Sequence, residues 1–340
     1  MQDAHIPLRG SPLRVRIATI TILGRPALRV SQNQLRGELL IKVARRIRRR
    51  LGWSNLDALL APAGMFRSDN WYGHLPSPMR LELADEEEFG EFAVRAATIL
   101  SSTSPGCPVV IGVDSRRPGR GFGGDQMVIA FGERGSSGLS RKSFPVDGDT
   151  NGWGRSPYLL FEEDGSDPWR GLKLPSGQTA LLHSCYDAFA LAEIVLGPTG
   201  KRRALRWAGD TDRWWRWFDE GEVDRWISGW AKSISQLRPN LNLVGVHGFE
   251  HPGGEVYWQR HGIATASAAL GGIPTIGAGH YAHALPLGDG SPLAAFGVPI
   301  SHIHDRQFRK AFLLKPKDHF EVWLRGEPHI RALIRLFDAP

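Results

Sequence analysis

The sequence predicts an α/β protein in which a largely buried sheet is covered by helices. Three observations carry that expectation. Short apolar runs bounded by turn residues recur along the chain as PVVIGV, QMVIAF, TALLHS and LNLVGV, the way strands buried on both faces read. Ahead of them stand two stretches with apolar residues at helical spacing, the mark of amphipathic helices. The 340 residues are 41% apolar and 23% charged, so the chain can bury a sizeable core and is neither disordered nor fibrous. This length admits one large domain or two. With no internal repeat and no long linker in the sequence, one domain is expected.

Residues 14–23 (RVRIATITIL) alternate as a strand does. Over 35–51, Leu35, Leu39, Val43, Ile47 and Leu51 recur every fourth residue and predict a helix with one stripe on the core. Arg45, Arg46, Arg48, Arg49 and Arg50 crowd the end of that helix, where positive charge suits the dipole. Residues 56–61 (LDALLA) read as a short buried strand stopped by Pro62. Acidic residues 85–88 open a helix running to Leu100, which SSTSPG ends. Strands follow at 108–113 and 126–131, then a Gly/Ser turn leading to Arg141 and Lys142. Residues 179–184 run as a strand into Cys185, and 241–246 complete the central set. The tail supplies strands at 294–300 and 311–314 and a helix over 329–337.

Residues 201–235 stand apart, with Trp207, Trp214, Trp215, Trp217, Trp226 and Trp230 making half of the 12 tryptophans. Trp226 and Trp230, like Trp214 and Phe218, share helix faces, so the segment reads as an inserted helical pair packed on the body. A subunit contact or a lid over a pocket is the other reading of those rings.

The net charge of +7 and pI near 9.7 raise nucleic acid as a partner. The basic residues concentrate on a solvated helix face, however, and no zinc-finger, RNP or helix-turn-helix spacing accompanies them, so nucleic acid is not expected. Two cysteines, Cys107 and Cys185, build no disulfide framework and fit a reducing compartment. Residues 17–23 are the only N-terminal apolar run, and no stretch approaches the roughly 18 apolar residues of a span. A soluble, cytoplasmic protein without a membrane partner is expected.

The literal G-x-G-x-x-G at Gly119, Gly121 and Gly124 lies between two strands rather than opening a helix, so it reads as a hairpin loop and no cofactor is expected. His302, His304 and Asp305, or His280 and His283, offer two imidazoles without a distinguishable third ligand, and no metal is expected. Cys107 precedes Pro108 and reads as a small apolar residue. Cys185 ends an apolar strand and precedes Tyr186, Asp187 and a helix-compatible run. A thiol at a strand-to-helix turn sits near helical N–H groups, which favour the thiolate and hence nucleophilic chemistry.

The run Gly177-Gln-Thr-Ala-Leu-Leu-His-Ser-Cys185-Tyr186-Asp187 resembles the nucleophile segment of the nitrilase, or carbon–nitrogen hydrolase, superfamily. Gly138-Leu-Ser-Arg141-Lys142 is similar to that family's tyrosine–arginine–lysine segment, with Ser140 where tyrosine is common. The strands fall in the family's order, so the resemblance covers about residues 14–315. It implies a four-layer α-β-β-α sandwich, a homodimer, and a small-molecule substrate. It also implies Cys185 as nucleophile and Lys142 as the cation that stabilises developing negative charge.

The family's third catalytic residue is a glutamate in a Pro-Glu pair ending the second strand. Here Pro62 is followed by Ala63. No residue clearly supplies the family's second glutamate, Glu162 and Glu163 being shifted, and Glu193 falls one residue late of a further Pro-Glu. The loop after LNLVGV carries His247, Glu250 and His251, candidates for a substitute acid/base, since a histidine would make a Cys–His pair. The expected activity is a cysteine-dependent hydrolase or acyltransferase on a non-peptide carbon–nitrogen bond of the amide or nitrile class. The alternative is a catalytically inactive protein of the same fold that binds a ligand or partner.

Overall fold

The computed structural model describes residues 14–50, 52–72, 75–115, 126–142, 167–185, 187–188, 234, 236–248, 263, 266–267, 270, 272–285, 294–296, 312–324 and 330–339. Its first strand, β1 (Val15–Leu23), is followed by helix α1 (Asn33–Arg49) and by the short strands β2 (Ala58–Leu60) and β3 (Phe66–Ser68). Helices α2 (Ser77–Asp85) and α3 (Glu88–Ser101) come next, then β4 (Val109–Ser115), β5 (Gln126–Gly132) and β6 (Gly135–Arg141). The second half supplies β7 (Gly171–Lys173), β8 (Thr179–Ser184), β9 (Leu241–Gly245), β10 (Thr275–Ala278), β11 (His280–Tyr281), β12 (Ala294–Phe296) and β13 (Phe312–Leu313). Strands β14 (Asp318–Leu324) and β15 (Ile330–Ala339) end the described chain.

These strands form two sheets. The first runs β14-β15-β1-β2-β4-β5-β6, with β11 beside β1 and β3 beside β4; the second runs β13-β12-β10-β9-β8-β7. The centre of each sheet is parallel, β1-β2-β4 in one and β8-β9-β10 in the other. Strand alternation then sorts the side chains into two cores. Ile20, Leu59, Ile111 and Ile129 face Leu39, Val43 and Ile47 of α1 and Phe89, Ala93 and Leu100 of α3. Ile17, Leu60, Val110 and Val128 face Leu182, Leu243 and Ile276 of the second sheet. Each fully buried aliphatic is worth about 1.5–3 kcal/mol over exposure, which is what holds helices, sheet and sheet in register. The α/β sandwich of two stacked sheets with helices outside is therefore the architecture the sequence predicts.

Several elements differ from expectation. In place of the helix expected over 329–337, residues 330–337 form most of β15, antiparallel to β1 from Val15 opposite Ala339 to Leu23 opposite Arg331. Ala332, Ile334 and Leu336 face the helices while Phe337 and Ala339 face the second sheet. A strand buried on both faces carries apolar residues at both parities, and here that imitates a three-to-four spacing. The helix expected over 85–100 is α3, which starts at Glu88, and a further helix, α2, precedes it and ends at Asp85. The Gly/Ser turn is strand β6, because Gly138 lets the other sheet close in: a β-carbon there would meet Leu182 Cδ1 at 3.3 Å. The glycine-rich loop at 119–124 lies outside the described residues, between antiparallel neighbours β4 and β5. The Trp-rich segment lies outside them too, Ile234 excepted. No described helix is long and apolar enough to cross a membrane.

Candidate active site

The parallel strands β4, β8 and β9 end on one side of the sandwich, the carboxyl side where ligand sites of open α/β sheets lie. Cys185 is the first residue past β8 and has φ 49°, left-handed and uncommon for a non-glycine residue. Its N–H donates to Gly245 O at 2.6 Å and its carbonyl accepts from Ala188 N at 3.2 Å, so the chain leaves the sheet and starts to coil within one turn. Lys142 is the first residue past β6, anchored through its N–H to Gln126 O at 2.8 Å, and its side chain is buried.

Arg170, buried before β7, joins the elements that carry these two residues. Its Nη1 donates to Ser140 Oγ and its Nη2 to Arg141 O, both at 2.8 Å, and it pairs with buried Asp187 at 3.8 Å. One guanidinium thus links the residues just before Lys142 to the turn just after Cys185. Its geometry suits several fixed acceptors, which a lysine would not match. Behind the turn, His183 Nδ1 pairs with Asn242 Oδ1 at 2.6 Å, bridging β8 to β9. Burial and the charge of Arg170 lower the His183 pKa to about 3, so this ring is a neutral strut.

His247, two residues past β9, interacts through its ring with the Cys185 thiol. Its Nε2 lies 2.9 Å from Asp114 Oδ1, a carboxylate near the end of β4 that is 11% exposed against 17% for the histidine. A carboxylate only accepts, so Nε2 is the donor and carries hydrogen. Nδ1 makes no hydrogen bond among the described residues, so it is the ring nitrogen free to exchange a proton with the neighbouring thiol.

Electrostatics reinforce this pairing. Burial opposes the Cys185 thiolate, but the charge of Lys142, the bond to His247 and the imidazolium charge outweigh it and lower the thiol pKa. Burial likewise opposes the His247 imidazolium, yet Asp114 and then Cys185 raise its pKa to about 10. Both shifts favour the thiolate–imidazolium form of the pair over the neutral one.

Of the sequence candidates, Cys185, Lys142 and His247 come together, while Glu250 and His251 lie outside the described residues. Ala63 is fully buried just past β2, its backbone pressed by Gly112 of β4 and Gly245 of β9. His302, His304 and Asp305 lie outside the described residues. His280 Nε2 pairs with Arg36 Nη1 at 3.0 Å and so is engaged by a cation. Among the described residues no three His, Cys, Asp or Glu side chains gather as a metal would need. Asp114 and Arg170 are absent from the sequence candidates. A carboxylate ending an apolar strand was the signal for Asp114; for Arg170 the sequence offers none.

No protein-family model matches this chain, and no curated protein does. Among solved structures it is similar to the amidase of Nesterenkonia sp. AN1. For a double mutant of that amidase in complex with acrylamide the identity is 12% and the TM-score 0.47, over 98% of this chain and 93% of that one. For a mutant showing covalent addition of the acetamide moiety of fluoroacetamide at the active-site cysteine they are 14% and 0.46, over 96% and 90%. A further mutant, described as from the nitrilase superfamily, gives 12% and 0.42 over 96% and 90%. A likeness of this size says nothing of reaction or substrate.

Proposed function

We propose that this protein is a cysteine-dependent hydrolase or acyltransferase acting on a non-peptide carbon–nitrogen bond of a small molecule, of the amide or nitrile class. The observation that carries the reading is the convergence at one strand end of Cys185, Lys142 and the Asp114-bound His247 ring, whose charges favour the thiolate. Nucleophile, proton carrier and electrophilic stabiliser are the three parts that acyl transfer needs. The sequence resemblance supplies the bond class, and by that resemblance Lys142 corresponds to the family's catalytic lysine.

On an amide the Cys185 thiolate attacks the carbonyl carbon, and the carbonyl electron pair moves to oxygen beside Lys142. Collapse breaks the carbon–nitrogen bond as His247 gives its proton to the departing nitrogen. A water or another acceptor then attacks the thioester and passes its proton to His247, and the acyl carbon–sulfur bond breaks. Acid or transferred acyl product leaves, and thiolate and imidazolium are restored.

Intact-mass spectrometry with a panel of amides, nitriles and activated acyl donors tests this reading. A substrate-sized adduct is expected on the wild type and none on Cys185→Ala. Decay of the adduct in water alone marks a hydrolase, and decay only with an added acceptor marks a transferase. A folded wild type that forms no adduct with any compound overturns the reading and favours a ligand-binding protein.

A further inference from the structure

We propose that Asp114 is a positioning residue that acts through His247 to do the work of the carboxylate missing at Ala63, so that the site runs as a Cys185–His247–Asp114 relay beside Lys142. The inference rests on the reading of Cys185 as a nucleophile and says what replaces the expected glutamate.

The space for this pair is built into the backbone. A β-carbon at Gly112 would lie 2.2 Å from Ala63 Cα, and one at Gly245 would lie 3.1 Å from Ala63 N. β4 and β9, from opposite sheets, therefore both close on the Ala63 backbone, where those two glycines admit it. Two residues further along each chain segment come Asp114 and His247, and Asp114 shares the face of Gly112 because strand side chains alternate. They meet beside Gly64, which has φ +63° and where a β-carbon would stand 2.9 Å from Asp114 Oδ2 and 3.0 Å from His247 Cδ2. Gly112 and Gly245 thus bring the two strands together on Ala63, and Gly64 clears the volume in which a carboxylate and an imidazole reach each other at 2.9 Å.

The direction of the bond decides what the carboxylate does. With Nε2–H donated to Asp114, the ring is held in one orientation and one tautomer, and Nδ1 is the atom that exchanges the proton with Cys185 Sγ. Asp114 touches neither thiol nor substrate in this scheme, which is why it positions rather than catalyses.

The groups facing this pair are Lys142 from the end of β6, His280 from β11 and Arg36 from α1. Lys142 acts on the thiol, His280 lies close to the His247 ring, and Arg36 interacts with the Asp114 charge. Arg36 is itself fixed by His280 Nε2 at 3.0 Å and Arg25 O at 2.6 Å. In each catalytic step one proton moves between Nδ1 and the departing nitrogen or the entering water, while Asp114 keeps its charge and Nε2 its hydrogen. No further co-reactant is needed.

The test is the rate of Cys185 alkylation by iodoacetamide against pH, measured with acyl-adduct formation, in wild type, Asp114→Asn and Asp114→Glu. Asp114→Asn should move the alkylation limb to higher pH by about one unit and slow acylation by about 10²–10⁴-fold. Substrate KM should change little, and Asp114→Glu should recover part of the rate. An Asp114→Asn protein that is folded and keeps the wild-type pH profile overturns the relay while the nucleophile reading stands. Loss of all adduct in wild type, with the alkylation limb still displaced in Asp114→Asn, removes the enzymatic reading and leaves the relay as a thiol-activating device. Should Asp114→Asn not fold, the ring of His247 in the wild type decides by NMR titration. An imidazolium persisting above pH 8 is expected, and a neutral ring at pH 7 overturns the proposal.

Discussion

Two cysteines lie buried in this molecule, and their surroundings push them in opposite directions. Cys107 precedes β4 in the apolar core under the helices, where burial and the nearby Asp57 charge raise its pKa far above the ordinary thiol range. Cys185 is equally enclosed, yet Lys142 and His247 outweigh the same burial penalty and lower its pKa. Depth alone therefore suppresses the thiolate, and cations brought to the thiol by separate strands favour it. The backbone differs as well. The Cys107 N–H closes an ordinary turn on Ser104 O at 3.0 Å, whereas Cys185 takes a left-handed conformation to leave its strand.

The widest consequence is in reactivity. With a thiol-specific reagent at pH 7 the native protein should be modified at Cys185, with Cys107 reacting only after unfolding, and peptide mapping after a timed reaction reads this directly. Equal labelling of both, or labelling of Cys107 first, breaks the comparison. The next consequence falls on Lys142. Lys142→Met removes the leading charge that favours the thiolate, so the alkylation limb should move to higher pH and acylation should fall about 10²–10³-fold, as for loss of one oxyanion-hole donor. An unchanged limb would assign the thiolate to His247 alone. Activity in wild type should rise through the lowered thiol pKa and fall as His247 loses its proton near pH 10.

A smaller effect tests the backbone half of the comparison. Both Cys185→Ala and Cys185→Gly lose the thiol, but only glycine adopts φ 49° without strain. Cys185→Gly should therefore be more stable than Cys185→Ala by about 1 kcal/mol, the left-handed cost of a β-carbon. Paired thermal or urea melts read that difference, and an alanine variant of equal stability would show that the turn carries no strain.

How much of this was legible in the sequence follows from where each part lies. The thiol sits in a local pattern, an apolar strand running into Cys-Tyr-Asp, and Lys142 ends a similar local segment, so both could be read. His247 was readable only as one of three polar residues in a loop. Its pairing with a carboxylate could not be read, because Asp114 stands 133 positions away and is brought close by a neighbouring sheet. Arg170 is a lone arginine in sequence and a three-way tie in space. The misreading of 329–337 has the same origin. Burial on both faces of β15 depends on a partner at the other end of the chain, β1, and one-dimensional periodicity carries no trace of that pairing.

The weakest expected effect is at the surface, where the same kind of charge pairing acts in water. Asp318 of β14 accepts from Arg50 Nε and Nη2, each at 2.6 Å, and from the Trp53 indole. It thereby ties the end of α1 to the edge of the first sheet. The Arg50 hydrogen bond is the first cause that lowers the Asp318 pKa, to about 2. A carboxylate whose folded pKa is depressed adds stability above its unfolded pKa and loses it as pH falls towards the folded value. That window runs from about pH 4 down to about pH 2. The side chains are about one-third exposed, at 35% and 31%, so screening reduces the contribution to about 0.5–1 kcal/mol. Asp318→Asn should remove it and flatten the wild-type decline of stability with acid over that window, with Cys185 alkylation unaffected. A loss several times larger would mean that the pair behaves as the buried site does. The contrast between a charge network enclosed by two sheets and one open to water would then fail.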